Sequence, residues 1–171
     1  MTRMRVDGKL VPSSITQIGE SARSHERDGY AGLWSSESKH DPFLPLMVAA
    51  EHTSDLELGT SIAVAFARTP MTLAYSSWDL QNYTGGRFVL GLGSQVKPHI
   101  ERRFSMEWSR PADRMREFVN AIRAIWDSWE HGTRLDFDGE FYRHTLMTPF
   151  FSPGPNPHGL PKVVIAAVGE A

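Results

Sequence analysis

The chain has 171 residues, 40% of them hydrophobic, which is the size of one ordinary domain with enough apolar residues for a real core. A net charge of −2 leaves no electrostatic case for nucleic acid or an anionic membrane, and the absence of cysteine excludes disulfides, thiolate catalysis and cysteine-bound metal. No apolar run approaches a bilayer span, and the start, Met-Thr-Arg-Met-Arg-Val-Asp, lacks the apolar stretch of a signal peptide, so a soluble, cytoplasmic protein is expected.

Strand and helix patterns alternate along the chain. Val6 to Val11 reads as a first strand, stopped by Pro12, Ser13 and Ser14. Ser14 with Gln17 has capping-box spacing, Ile15, Ile18 and Ala22 share one helical face, and Gly29 closes the helix. Residues 30–36 read as a second strand that runs into the polar row Glu37, Ser38, Lys39, His40, Asp41. A carboxylate beside an imidazole can move protons near neutral pH, and equally can be a capped, solvated loop. A helix then follows Asp41-Pro42, with Leu44, Met47, Val48 and His52 at helical spacing.

Residues 56–66 hold a third strand, and Thr69-Pro70 is a cap and first-turn pair for the next helix, which closes at Gly85-Gly86. The fourth strand, residues 87–92, breaks at its carboxyl end into Gly91, Gly93, Ser94 and Gln95. Two positions without side chains let a cofactor or substrate approach the backbone closely, and equally can be a glycine bulge or tight turn that binds nothing. From Pro111, the residues Met115, Phe118, Val119, Ile122, Ile125, Trp126 and Trp129 form a core-facing stripe that ends at Gly132. Asp138-Gly139 within 135–142 reads as a small hairpin, Pro149 to Pro161 as a proline-rich loop, and Pro161 to Gly169 as a buried fifth strand.

Such alternation predicts a parallel sheet with right-handed crossovers. A five-stranded doubly wound domain would need a helix after its last strand, so the first half of an eight-stranded barrel is preferred. In such folds ligands lie at the carboxyl ends of the strands. The seven histidines show no repeated metal-ligand spacing, and neither a nucleophile elbow nor a phosphate loop is present. Gly91-x-Gly93-x-x-Val96 only half matches the dinucleotide fingerprint.

Together, Trp34-Ser-Ser-Glu37, Asp41-Pro-Phe, Leu58-Gly-Thr-Ser-Ile62 with Arg68-Thr-Pro70, Gly86 to Gly93 and Pro161 to Gly169 resemble the luciferase-like monooxygenase superfamily. Within it, Gly93 to Phe104 and Phe141 to Phe151 are similar to an actinobacterial branch of oxidoreductases dependent on coenzyme F420. The resemblance implies an (α/β)8 TIM barrel, here an amino-terminal half barrel over 1–171 of about five parallel strands with flanking helices. It also implies a deazaflavin or flavin across the strand ends, backed by a non-prolyl cis peptide at Ser61-Ile62. Ser61, Ile62, Gly91, Gly93, Ser94 and Gln95 are then the expected cofactor-binding residues, and Glu37 and His40 the expected catalytic pair. Two positions depart from the family pattern: Glu37 is followed by Ser38 rather than histidine, and Val96 stands where sugar-phosphate dehydrogenases of the superfamily carry an acid.

The expected function is hydride transfer between a small organic substrate and F420, with no metal and with homo-oligomers of the full-length protein. An FMN-dependent monooxygenase is the alternative, and a non-catalytic half barrel that only associates with other chains is a third reading. With five strands, the sheet is expected to be open, its inner face including Ile62, Val64, Leu90 and Val164. On its own the chain is expected to bind F420 or FMN weakly and to turn over nothing.

Overall fold

The computed structural model describes residues 4–11 and 14–167. Pro12 and Ser13, expected to stop the first strand, and Val168 and Gly169, expected to end the last one, lie outside those residues. In chain order the elements are β1 (Asp7–Leu10), α1 (Ile18–Arg27), β2 (Gly32–Ser35), α2 (Leu44–Glu51), β3 (Glu57–Thr60), β4 (Ala63–Val64), α3 (Pro70–Tyr83) and β5 (Phe88–Gly93). They continue with α4 (Lys97–Arg102), α5 (Pro111–His131), the hairpin strands β6 (Phe137–Asp138) and β7 (Arg143–His144), and β8 (Lys162–Ile165).

All strands of the main sheet are parallel and run side by side as β1, β2, β3, β5, β8, with β4 extending the path of β3 along the end of β5. The order never reverses. A doubly wound sheet reverses at a switch point, whereas a barrel adds each unit beside the last, so this is the winding of a TIM barrel. Right-handed crossovers in one direction put the helices on one face. On that face Leu33, Leu58, Phe88, Leu90 and Leu92 join the helices in a single core.

Local chemistry sets the boundaries. The amide of Gly29 (φ 80°) bonds the Glu26 carbonyl and that of Tyr30 the His25 carbonyl, a Schellman closure of α1. Thr69 and Thr72 form a reciprocal capping box at the start of α3, with Pro70 in its first turn. Gly86, also at positive φ, closes α3 by bonding the Gln81 carbonyl. Every residue of the expected α5 stripe is buried.

Several local expectations need correcting. Ser14 caps a short 3-10 turn, Ile15–Gln17, through the Thr16 amide, and Ile15 is 47% exposed. In α2 the buried residues are Pro45, Leu46, Ala49 and Ala50, while Leu44 and Met47 face solvent. The hairpin pairs Phe137 with His144 and Asp138 with Arg143, so Gly139 opens a four-residue tip rather than a two-residue turn. The tip is held instead by Glu117, whose carboxylate accepts the amides of Glu140, Phe141 and Tyr142. On β8, Val164 is 45% and Ile165 50% exposed, so this strand is an exposed edge and not a buried strand. Val64 and Leu90 are fully buried rather than open, and only Val164, with half-buried Ile62, fits the expected solvent-facing set. Among the described residues no helix is long and apolar enough to cross a membrane.

Candidate functional site

The carboxyl ends of β2, β3 and β5 meet at a bulge. The peptide between Ser61 and Ile62 is cis, as the family resemblance implies. Backbone bonds stitch the bulge to β2: Ser61 N donates to the Ser35 carbonyl at 2.6 Å and Glu37 N to the Ile62 carbonyl at 3.2 Å. Glu37 then closes the far side of the bulge. Its Oε2 accepts from Val64 N at 2.8 Å and from Arg68 Nη1 at 2.6 Å. A carboxylate whose side chain is 7% exposed is held only where such partners compensate its lost hydration.

Arg68 continues the network. Its Nη2 lies 3.2 Å from Asp41 Oδ2, and its guanidinium sits over the Phe43 ring. Asp41 Oδ1 accepts from the amides of Phe43 and Leu44 where α2 begins. His40 is exposed on the intervening loop, which Arg103 ties down by donating to the Ser38 carbonyl. The acid and the imidazole thus have different positions: Glu37 is bound within the scaffold and His40 is open to solvent.

At the end of β5 the two glycines serve different ends. A Cβ on Gly91 would stand 1.8 Å from the Thr60 carbonyl oxygen, and the Thr60 hydroxyl donates to Gly91 O and accepts from Gly91 N. Gly91 is needed for the approach of β3. A Cβ on Gly93 would meet only the Ile62 side chain, at 2.8 Å. Beyond it Gln95 takes a left-handed conformation (φ 62°) and its side-chain oxygen accepts from Val96 N.

Ile62, Gly93, Ser94 and Gln95 line one pocket of about 700 Å³ at this end of the sheet. Ser61 is exposed beside the bulge. Glu37, His40, Ser61 and Gly91 are not among the residues lining that pocket. Its remaining wall comes from residues that were not among the expected cofactor contacts: Val96, Lys97 and Pro98 at the start of α4, Trp108, Pro111 and Ala166. Trp108 carried no periodic signal because it lies in an irregular segment between α4 and α5. A second cavity, of about 680 Å³, opens between α2 and α3, where Asp41 and Arg68 are paired with each other. Among the described residues no group of three histidine or acidic side chains could hold a metal ion.

Comparisons with known proteins show the family and the fold. The family description luciferase-like monooxygenase matches residues 1–171. An uncharacterized protein of Mycobacterium tuberculosis is 59% identical over 169 residues, covering 99% of this chain and 49% of that protein. The F420-dependent glucose-6-phosphate dehydrogenase of Mycobacterium avium is 30% identical, over 79% of this chain and 43% of that enzyme. Among solved structures, the FMN-bound oxygenating constituent of 3,6-diketocamphane monooxygenase from Pseudomonas putida superposes with a TM-score of 0.78 at 16% identity, covering 95% of this chain and 52% of that one. The chain spans about half the length of the curated relatives it matches.

Proposed function

The chain belongs to the luciferase-like monooxygenase family, and we propose that it forms the ring-facing part of an F420-dependent oxidoreductase acting on a small organic substrate. The observation that carries this reading is the convergence of Ile62, Gly93, Ser94 and Gln95 on one pocket at the carboxyl ends of parallel strands. The lining suits a flavin-type ring. Ile62, Pro98 and Trp108 offer apolar surface to its face, Ser94 and Gln95 offer polar groups to its edge, and Gly93 leaves room for the Ile62 side chain to pack beside it.

When bound, a deazaflavin supplies hydride transfer at C5, and the protein's part is to place it and exclude water. In this reading Ile62 backs the ring, Glu37 and Arg68 hold the bulge that presents Ile62, and the exposed His40 is the candidate to orient or protonate the reacting group. Glu37 is a positioning residue here, because its carboxylate is engaged by Val64 N and Arg68. The relative with 30% identity is F420-dependent, which favours F420. The FMN-bound structural neighbour supports the second reading, an FMN-dependent monooxygenase. The exposed edge of β8 supports a third, association with further copies or other chains.

Parallel absorbance titrations with F420 and FMN test the proposal. Saturable perturbation of the F420 band is expected, tighter than for FMN but weaker than about 1 μM, which corresponds to roughly −8 kcal/mol. Perturbation by FMN alone would favour the monooxygenase. Response to neither, with a stable oligomer on size exclusion, would favour the associating module.

A further inference from the structure

Trp108 stands at the end of a stack that begins at the hairpin. The ring of Phe66, which is fully buried, meets Trp108 edge to face at 5.8 Å between centroids. The Arg114 guanidinium lies over Phe66 at 4.9 Å and over the Tyr142 ring at 5.6 Å. Its Nε donates to the Tyr142 hydroxyl at 2.8 Å, and its Nη1 donates to the Glu107 carbonyl, one residue before Trp108. Tyr142 packs on Phe118 and its amide donates to Glu117. Arg114 therefore grips both the ring behind Trp108 and the backbone beside it.

Building on the function proposed above, we infer that Trp108 is the specificity-determining wall of the Ile62–Gly93 pocket, selecting planar conjugated rings, and that Arg114, braced by Tyr142, is the positioning residue that holds it through Phe66 and the Glu107 carbonyl. An indole presents a flat, polarisable face suited to stacking. It is effective only if its orientation is fixed before the ligand arrives. A planar guanidinium fork fixes it from two directions, which a lysine could not do. The rest of the segment 103–110 is tied elsewhere, Met106 N to the Ile100 carbonyl and Arg110 to Glu140 and the Phe141 ring, so the Arg114 contacts are the ones directed at Phe66 and the Glu107 carbonyl beside the indole.

The test uses the whole chain with F420 and FMN as probes, read by ring absorbance and by quenching of tryptophan emission. Trp108→Ala is expected to weaken both probes about tenfold, and Trp108→Phe to recover most of that loss while reducing the quenching that the five tryptophans give together. Arg114→Gln is expected to weaken binding about fivefold, and Tyr142→Phe, which keeps the ring and removes only the hydroxyl, about twofold to threefold. Quenching should become incomplete in both. If wild-type protein binds the probes and Trp108→Ala binds them equally well, the role of Trp108 is overturned while the pocket assignment stands. If Tyr142→Phe and a folded Arg114→Gln match wild type in affinity and quenching, the positioning role is overturned. If wild type binds neither probe, both the functional reading and this inference fall.

Discussion

Arg68 Nη1 lies 2.6 Å from Glu37 Oε2, and this ion pair joins the end of β2 to the segment just past the Ser61-Ile62 bulge. The same carboxylate oxygen takes the Val64 amide. Glu37→Gln should leave a half-buried guanidinium with Asp41 as its remaining carboxylate partner. Because Arg68 keeps some solvent contact, a loss of about 2 kcal/mol is expected rather than the full cost of a buried unpaired charge. Urea denaturation checks the value. Arg68→Met in the same background should cost less than the two single changes added together.

The two glycines of β5 separate packing from binding. Gly91→Ala puts a Cβ against the Thr60 carbonyl, which is backbone and cannot swing away. A stability loss of about 3 kcal/mol is expected. At Gly93 the neighbour is the Ile62 side chain rather than backbone, so Gly93→Ala should cost less than Gly91→Ala, about 1–2 kcal/mol in stability, and should still weaken ring binding by displacing Ile62. Paired denaturation and titration curves read both quantities.

His40 is exposed and makes no contact with Glu37 that would hold it in the fold. His40→Ala is expected to leave thermal stability unchanged. Within a complete barrel, steady-state turnover should fall about 10²-fold if the imidazole passes a proton to the reacting group. Equal turnover would make it an ordinary loop residue.

His144 gives the hairpin a pH dependence. Burial lowers its pKa from the usual 6.5, and its Nε2 has no hydrogen-bond partner. The folded chain thus resists protonation more than the unfolded chain does, and the unfolded state binds the extra proton first. Stability from this site is fully present above about pH 6.5 and declines as pH falls toward the lowered folded value. Melting temperatures at pH 8 and pH 5.5 should differ in that direction, and His144→Leu should flatten the slope.

The winding of the fold was legible because each strand–helix unit carries its own punctuation: Gly29, Thr69-Pro70, Gly85-Gly86 and Pro111 each mark a boundary that the structure keeps. Faces were legible only where polar residues alternate with apolar ones. In α5 they do, whereas α2, Leu-Pro-Leu-Met-Val-Ala-Ala-Glu, is apolar almost all round and its sequence does not choose a side. The short helix α4 has one buried residue, Ile100, and so no period to detect. The site was half legible. Glycine at a strand end signals close approach but not what approaches, and at Gly91 it is the Thr60 carbonyl. Glu37 pairs with Arg68, thirty-one residues away, and Trp108 reaches the pocket through an irregular segment, relations that local spacing does not encode.

The most direct measurement is an amide-resolved NMR titration of the chain with F420. Shifts concentrated at Ile62, Gly93, Ser94, Gln95 and Val96, with the Trp108 indole proton among them, are expected. Thr69, Thr72 and Ser76, which line the separate cavity between α2 and α3, should stay in place. Shifts centred on that second cavity, or no localised shifts at saturating F420, would contradict the assignment of the ring-binding site.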